Sequence, residues 1–406
     1  MIADWLWDKV IKRLVRHGVL TVIDHKGGKR RYGSPHPEFR DVTIRFADAR
    51  VGRDMALAPR LGVAEAFMDG RLIIEQGDIL DFITLVQKNN PWESRRGIDP
   101  KGPLRQLLGN TARHVQQFNL PGRSRRNVAH HYDLDAGLYD LFLDADRQYS
   151  CAYFARPDMT LEEAQEAKKA HIAAKLMLSP GQKVLDIGCG WGGMALHLNR
   201  HFGVDVTGIT LSTEQLAIAR QRAAAAGVAD QVRFELIDYR SMRGEFDRIV
   251  SVGMFEHVGA PHFREFFRIC RNLLTPGGVM LLHSIGRMQG PGSTDAFTRK
   301  YIFPGGYIPA LSEIVAASEP NNLAVTDVET LRLHYAMTLR HWYKRTVANR
   351  EKVEALYDAR FYRMWIFYLA GAASAFENGG LVNYQLQYTR DRHALPITRD
   401  YMIAQG

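Results

Sequence analysis

Two groups of residues in this chain have the types and spacing for chemistry. The first is Val184-Leu-Asp-Ile-Gly188-Cys-Gly190-Trp-Gly192-Gly193, where a short apolar run ends in a glycine-rich turn and enters a helical pattern. Glycines let backbone N–H and C=O groups come close to a ligand. Gly188, Gly190 and Gly193 satisfy G-x-G-x-x-G, the spacing of a dinucleotide site. Such a site wants an acid about 20 residues on, at the end of the second strand, to hold the ribose. Here that strand ends Gly208-Ile-Thr210-Leu211-Ser212, without a carboxylate, and the acid, Asp238, follows the third strand. This combination suits a nucleoside without a pyrophosphate, and S-adenosylmethionine (SAM) fits it. Asp186 would orient the amino-acid portion, and Asp238 would accept from the adenine amino group. A dinucleotide and a purely structural turn are the alternatives.

The second group is Glu256, after the fourth strand, and His283, closing the fifth. Both stand at carboxyl ends, where open α/β sheets bind ligands. Each alone has a plainer explanation. Glu256-His257 is a possible cap or surface pair, His283 a satisfied core histidine, and Cys151 a small buried hydrophobe. No close ligand spacing supports a zinc site built from Cys151, Glu256 and His283.

The elements that must carry these residues follow from periodicity. Thr160 and Glu163 have capping-box spacing and open a helix to about Leu178. KVLDI, DVTGIT, VRFELID, DRIVSVG and VMLLHSI read as strands with helices between them, and Gly227 suits the C′ position of one helix. Near-continuous apolar strands alternating with helices imply a parallel sheet covered on both faces. The expected fold is α/β and doubly wound. Residues 287 to 322 are too long for an ordinary connection, and Tyr301 and Phe303 there are candidates for a lid over an apolar pocket.

Ahead of this region, residues 1–94 read as a small α+β unit. A basic amphipathic helix to about residue 17 suits a lipid interface or its own domain. A hairpin from GVLTVID to RRYG and a strand VTIRFAD follow; LGVAEAFMDGRLIIE and DILDFITLVQ then show helical spacing. Residues 95–126 carry eight Lys/Arg against Asp99 alone and read as a basic linker with a short helix around Leu104 to Phe118.

The whole chain, 406 residues with 53 Lys+Arg against 44 Asp+Glu, is basic by +9. That suits nucleic acid, anionic lipid or an acidic substrate without choosing among them. Three cysteines are too few for a disulfide framework. Charges among the first residues interrupt any signal-peptide core, and the longest uncharged apolar stretch, residues 364–376, is too short to span a bilayer. The expectation is a cytoplasmic protein able to rest on a membrane surface.

Several stretches together resemble the cyclopropane fatty acid synthases: HYDL (131–134), QYSCAYF (148–154), VLDIGCGWGG (184–193), DYR (238–240), FDRIVSVGMFEHVG (246–259), LLHSIG (281–286), YIFPGG (301–306) and SEP (318–320). The resemblance implies a Rossmann-like class I methyltransferase domain over residues 127–406, with a substrate-covering insertion about 286–325. It implies transfer of a methylene group from SAM to the cis double bond of unsaturated phospholipid acyl chains, with bicarbonate as base. The N-terminal unit, through LGVAEAFMDG, resembles the phospholipid-modifying branch. Implied SAM contacts are Tyr149, Ser150, Gly188, Gly190, Gly192, Thr210, Leu211, Ser212, Gln215, Asp238, Tyr239 and Val252. Implied bicarbonate contacts are Cys151 (backbone), Glu256, His283, Ile285 (backbone N–H) and Tyr335. An anionic membrane surface and a homodimer are also implied, but no nucleic acid. One departure is the histidine motif, commonly His-Thr-Ile-Gly, which here reads His283-Ser284-Ile285-Gly286.

Overall fold

The computed structural model describes residues 2–94 and 136–403, with side chains from Asp8 and from Gly137 onward. The basic linker 95–126, its short helix and the HYDL stretch lie outside the described residues. Contacts divide the chain into two compact units.

One unit gathers the described residues up to Ser94 with Asp295–Ile302 and Ala336–Gly380. Its elements begin with α1 (Ile2–Leu14), β1 (Gly18–Ile23), β2 (Lys29–Ser34) and β3 (Val42–Phe46). They continue with α2 (Arg50–Leu57), α3 (Pro59–Met68), β4 (Leu72–Gln76) and α4 (Ile79–Lys88). The four strands form one sheet in the order β2-β1-β3-β4. The helical reading of LGVAEAFMDGRLIIE holds only for its first part. Gly70 takes φ +71 just past α3, and the β-branched Ile73 and Ile74 then pair antiparallel with β3. A residue in that left-handed conformation ends a helix and turns the chain.

The second unit holds Gly137–Thr294, Phe303–Tyr335 and Leu381 onward. Its elements are α5 (Ala136–Asp140), α6 (Leu161–Leu176), β5 (Lys183–Ile187), α7 (Gly193–Phe202), β6 (Asp205–Thr210), α8 (Thr213–Ala225) and β7 (Val232–Leu236). Then come β8 (Phe246–Val252), α9 (Phe263–Leu273), β9 (Leu274–Arg287), α10 (Leu311–Ser318) and β10 (Ala324–Leu331). Three helices, α11 (His334–Ala348), α12 (Arg350–Leu356) and α13 (Ala359–Glu377), lead to β11 (Leu381–Thr389) and α14 (Asp400–Ile403). All of α12 and α13 and nearly all of α11 fall in the first unit, although they lie within the span 127–406.

The seven strands run β10-β11-β9-β8-β5-β6-β7. β6, β5, β8 and β9 are parallel neighbours, and β11 enters antiparallel between β9 and β10. This is a Rossmann-like class I methyltransferase sheet, with the strand order reversing between β5 and β8. β11 alternates apolar and polar residues, yet it is buried on both faces. Val382, Tyr384, Leu386 and Tyr388 point one way, and Asn383, Gln385, Gln387 and Thr389 are equally covered on the other. The capping box of α6 forms as expected: Glu163 N–H donates to Thr160 Oγ1 at 3.2 Å, and Thr160 N–H donates to Glu163 Oε2 at 2.8 Å. Gly227 takes φ +70 just past α8. Among the described residues no helix is long and apolar enough to cross a membrane.

Candidate active site

The turn after β5 is built by glycine stereochemistry. Gly188, Gly190 and Gly192 take φ +83, +54 and +83, a region that costs other residues about 1–2 kcal/mol. The N–H groups of Gly188 and Cys189 donate to the Ile209 carbonyl at 2.9 and 3.0 Å, which pins the turn to the end of β6. A Cβ on Gly188 would lie 2.7 Å from Met254 Cβ, whereas one on Gly190 would meet no atom within 4 Å and would project into the cavity beside it.

That cavity sits at the carboxyl ends of β5, β6 and β8. Tyr149, Ser150, Asp186, Gly188, Gly190, Thr210, Leu211, Gln215, Asp238, Tyr239 and Val252 all line it. Gly192 and Ser212 stand behind the wall. A Cβ on Gly192 would strike the Phe234 ring at 2.6 Å, so that glycine serves helix–sheet packing. Ser212 caps α8 by accepting from Gln215 N–H at 3.2 Å, and the Thr210 hydroxyl donates to Gln215 Oε1 at 3.0 Å. Sequence reasoning missed Gln148, Trp191, Met194, Arg240, Met254 and His257, which also line the cavity. Several lie within or next to the motifs already noted, but side-chain direction was not readable there.

Two carboxylates line the cavity, Asp238 and Asp186. Arg240 Nε and Nη2 donate to the two Asp238 oxygens at 2.8 and 2.6 Å, so this acid enters the site already paired. Asp186 is buried with Oδ2 lacking a hydrogen-bond partner among the described residues. Burial raises its pKa to about 7, and only the Lys168 charge pulls against that rise. A glycine cradle open to the cavity, with an orphaned carboxylate oxygen facing a buried site, fits the amino-acid end of a nucleoside methyl donor.

Beside this cavity Glu256 Oε1 accepts from the Ile285 N–H at 2.5 Å. Glu256 is buried; desolvation pushes its pKa up to about 7 against the pull of the Ile285 N–H and the Ser284 hydroxyl. Its Oε2 and the Nε2 of buried His283 have no hydrogen-bond partner among the described residues. His283 lies two residues from Ile285 on β9, and its Nδ1 is 3.1 Å from the Gln385 amide nitrogen. Burial, with Lys168 and Lys175 nearby, holds the His283 pKa well below the usual imidazole value. Low basicity keeps the ring neutral, and the tautomer in which Gln385 donates to Nδ1 carries its proton on Nε2.

Cys151 is buried, its Sγ contacting the Ala152 carbonyl at 3.4 Å, and desolvation pushes the thiol far above its ordinary pKa. It is a neutral thiol. Tyr335 is buried next to His334, whose Nδ1 accepts from Phe154 N–H at 3.0 Å, three residues past Cys151. The two lid candidates separate. Phe303 belongs to the sheet unit, with its ring 5.9 Å from that of His257. Tyr301 belongs to the other unit, where its hydroxyl donates to Glu65 Oε1 at 2.8 Å and its ring packs 5.6 Å from Phe297.

Comparison with known proteins agrees with this geometry. The sequence profile of the mycolic acid cyclopropane synthetase family matches residues 121–386. A probable fatty acid methyltransferase of Pseudomonas putida is 43% identical over 287 residues, 68% of this chain and 73% of that protein. The cyclopropane-fatty-acyl-phospholipid synthase of Escherichia coli K12 is 37% identical over 332 residues, 81% of this chain and 83% of that protein. The solved mycolic acid cyclopropane synthase CmaA1, complexed with SAH and CTAB, superposes with a TM-score of 0.62 at 36% identity. That alignment covers 65% of this chain and 97% of that one. The glycine cradle after β5, the buried Glu256–Ile285 pair and these similarities converge: the chain belongs to the cyclopropane fatty acid synthase family of SAM-dependent methyltransferases, which modify lipid acyl chains.

Proposed function

We propose that this enzyme forms cyclopropane rings on the cis double bonds of unsaturated phospholipid acyl chains. The observation that carries the reading is that two buried atoms lack partners among the described residues, Oε2 of the Glu256 carboxylate whose other oxygen accepts from Ile285 N–H, and Nε2 of His283, two residues before Ile285 on β9. Buried polar atoms without partners are rare in native proteins. One acceptor and one donor suit a small oxyanion that still carries a proton, and bicarbonate has that form.

An isolated double bond is a weak nucleophile, so the donor's sulfonium methyl must be held in line with it. Fixing reacting atoms at roughly 3–3.5 Å supplies several kcal/mol of the barrier. Methyl transfer releases S-adenosylhomocysteine and leaves a carbocation on the chain; loss of a proton from the added methyl closes the ring. Bound bicarbonate supplies the base for that proton. Glu256, His283, the Ile285 N–H, Tyr335 and the Cys151 backbone would hold it. A bound base avoids placing a protein carboxylate where the cation would alkylate it. Burial of Glu256, His283 and Cys151 also excludes water, which would trap the cation as an alcohol. Asp186, Ser150 and the Gly188–Gly190 turn would hold the amino-acid end of SAM, and Asp238 the nucleoside end. The basic excess of the chain supports docking on the anionic inner face of a membrane, where each Lys/Arg contributes about 1 kcal/mol.

The test is lipid mass spectrometry on cells that express the protein. Chains should gain one methylene each, with loss of unsaturation and no olefinic or methyl-branched product. An unchanged lipid profile, or SAM turnover on an amine instead, overturns the reading.

A further inference from the structure

Helix α6 carries a lysine where a core helix normally carries an aliphatic residue. Lys168 has no exposed surface. Its Nζ donates to Gln148 Oε1 at 2.5 Å and to Ser150 Oγ at 2.9 Å. One turn earlier on the same face, Gln165 Nε2 donates to the carbonyls of Gln148 and Ser150 at 3.1 and 3.0 Å. Four hydrogen bonds from one helix thus grip the segment whose residues Gln148, Tyr149 and Ser150 form a wall of the cavity.

A buried ammonium without compensating contacts is costly, and neutral alternatives are readily accommodated in a core. This one is compensated by its two hydrogen bonds to cavity-lining residues. The charges of Asp144, Asp146 and Asp186 favour it, while Lys169 opposes it. Cys151 and His283, on the catalytic side, also feel its field. Desolvation pulls the Lys168 pKa down to about 8, so the charged form prevails at neutral pH.

We propose that Lys168 is a positioning residue for the methyl donor. By donating to Ser150 Oγ it occupies that oxygen as an acceptor and turns the Ser150 O–H toward the cavity, where a donor's carboxylate would accept it. Lys168 itself touches neither the donor nor the reacting atoms. The inference rests on the SAM pocket and is independent of the bicarbonate reading, because its readout is binding without turnover.

The experiment is calorimetric titration of the full-length protein with S-adenosylhomocysteine and with 5′-methylthioadenosine, which lacks the amino-acid portion. Lys168→Met should weaken S-adenosylhomocysteine at least tenfold while methylthioadenosine stays within about twofold. Combining Lys168→Met with Ser150→Ala should cost less than the sum of the two single losses. Equal weakening of both ligands would assign Lys168 to mere packing and overturn the proposal, as would unchanged binding or strict additivity. Should Lys168→Met fail to fold, Ser150→Ala decides: a loss selective for S-adenosylhomocysteine supports the proposal, and a loss blind to the amino-acid portion, or none, overturns it.

Discussion

Gln385 and His283 are register partners across the antiparallel pair of β11 and β9, with the Gln385 amide nitrogen 3.1 Å from His283 Nδ1. Register and hydrogen bond together hold the histidine ring and leave its buried Nε2 without a hydrogen-bond partner among the described residues. Which ring nitrogen of a neutral imidazole carries the proton is set by the hydrogen bond that the other nitrogen makes.

Gln385→Leu keeps the size and burial of the side chain but removes the donor to Nδ1. Product formation should fall about 10–100-fold while S-adenosylhomocysteine affinity stays within threefold. Steady-state kinetics beside calorimetry checks this; a proportional loss of ligand binding would show that β11 had shifted as a whole.

Glu256 provides a prediction with two opposite signs. Its pKa is about 7 in the folded protein and 4.5 for an ordinary side chain, because burial disfavours its charge. The folded state therefore keeps a proton that the unfolded chain has lost between those pH values, and stability falls as pH rises through that window. Glu256→Gln should abolish ring formation while raising stability by about 1–3 kcal/mol at pH 8. At pH 5 the gain should shrink to about a quarter of that. Thermal melts at the two pH values, with product analysis, test both halves; an active variant removes Glu256 from the anion site.

The glycine cradle gives a steric prediction. Gly188→Ala would place a Cβ at φ +83 and 2.7 Å from Met254 Cβ. S-adenosylhomocysteine affinity should drop more than tenfold and Tm should fall by several degrees. Retained affinity would mean that the turn relaxes without cost.

Charge gives a prediction about surfaces. With 53 basic against 44 acidic residues, association with anionic vesicles should weaken steadily as salt rises, because exposed charges are screened beyond about 8–10 Å near physiological ionic strength. Co-sedimentation across a salt series measures this. Salt-independent pelleting would point to apolar insertion as the dominant contribution.

Much of the cofactor pocket was legible because its constraints are local. Only glycine takes φ near +83 without strain, so Gly188 and Gly192 are written into the chain wherever that turn is needed. The capping box at Thr160 and the C′ glycine at 227 are equally local, each decided by a few neighbouring atoms. Strands β5, β6 and β8 show as apolar runs because both faces of a central parallel strand are covered.

What tertiary structure alone decided depends on partners distant in sequence. β11 alternates between apolar and polar residues like a half-exposed strand, yet its polar face is buried against groups such as the Lys175 carbonyl and the His283 ring. Its place between β9 and β10 had no signature in the chain. Tyr301 and Phe303, two residues apart, belong to different units, a division set by packing rather than by spacing. Lys168 looks like a solvated helix residue until α6 is laid against the Gln148–Ser150 segment; only then does a buried ammonium acquire acceptors, and burying charge is tolerable only where folding supplies them.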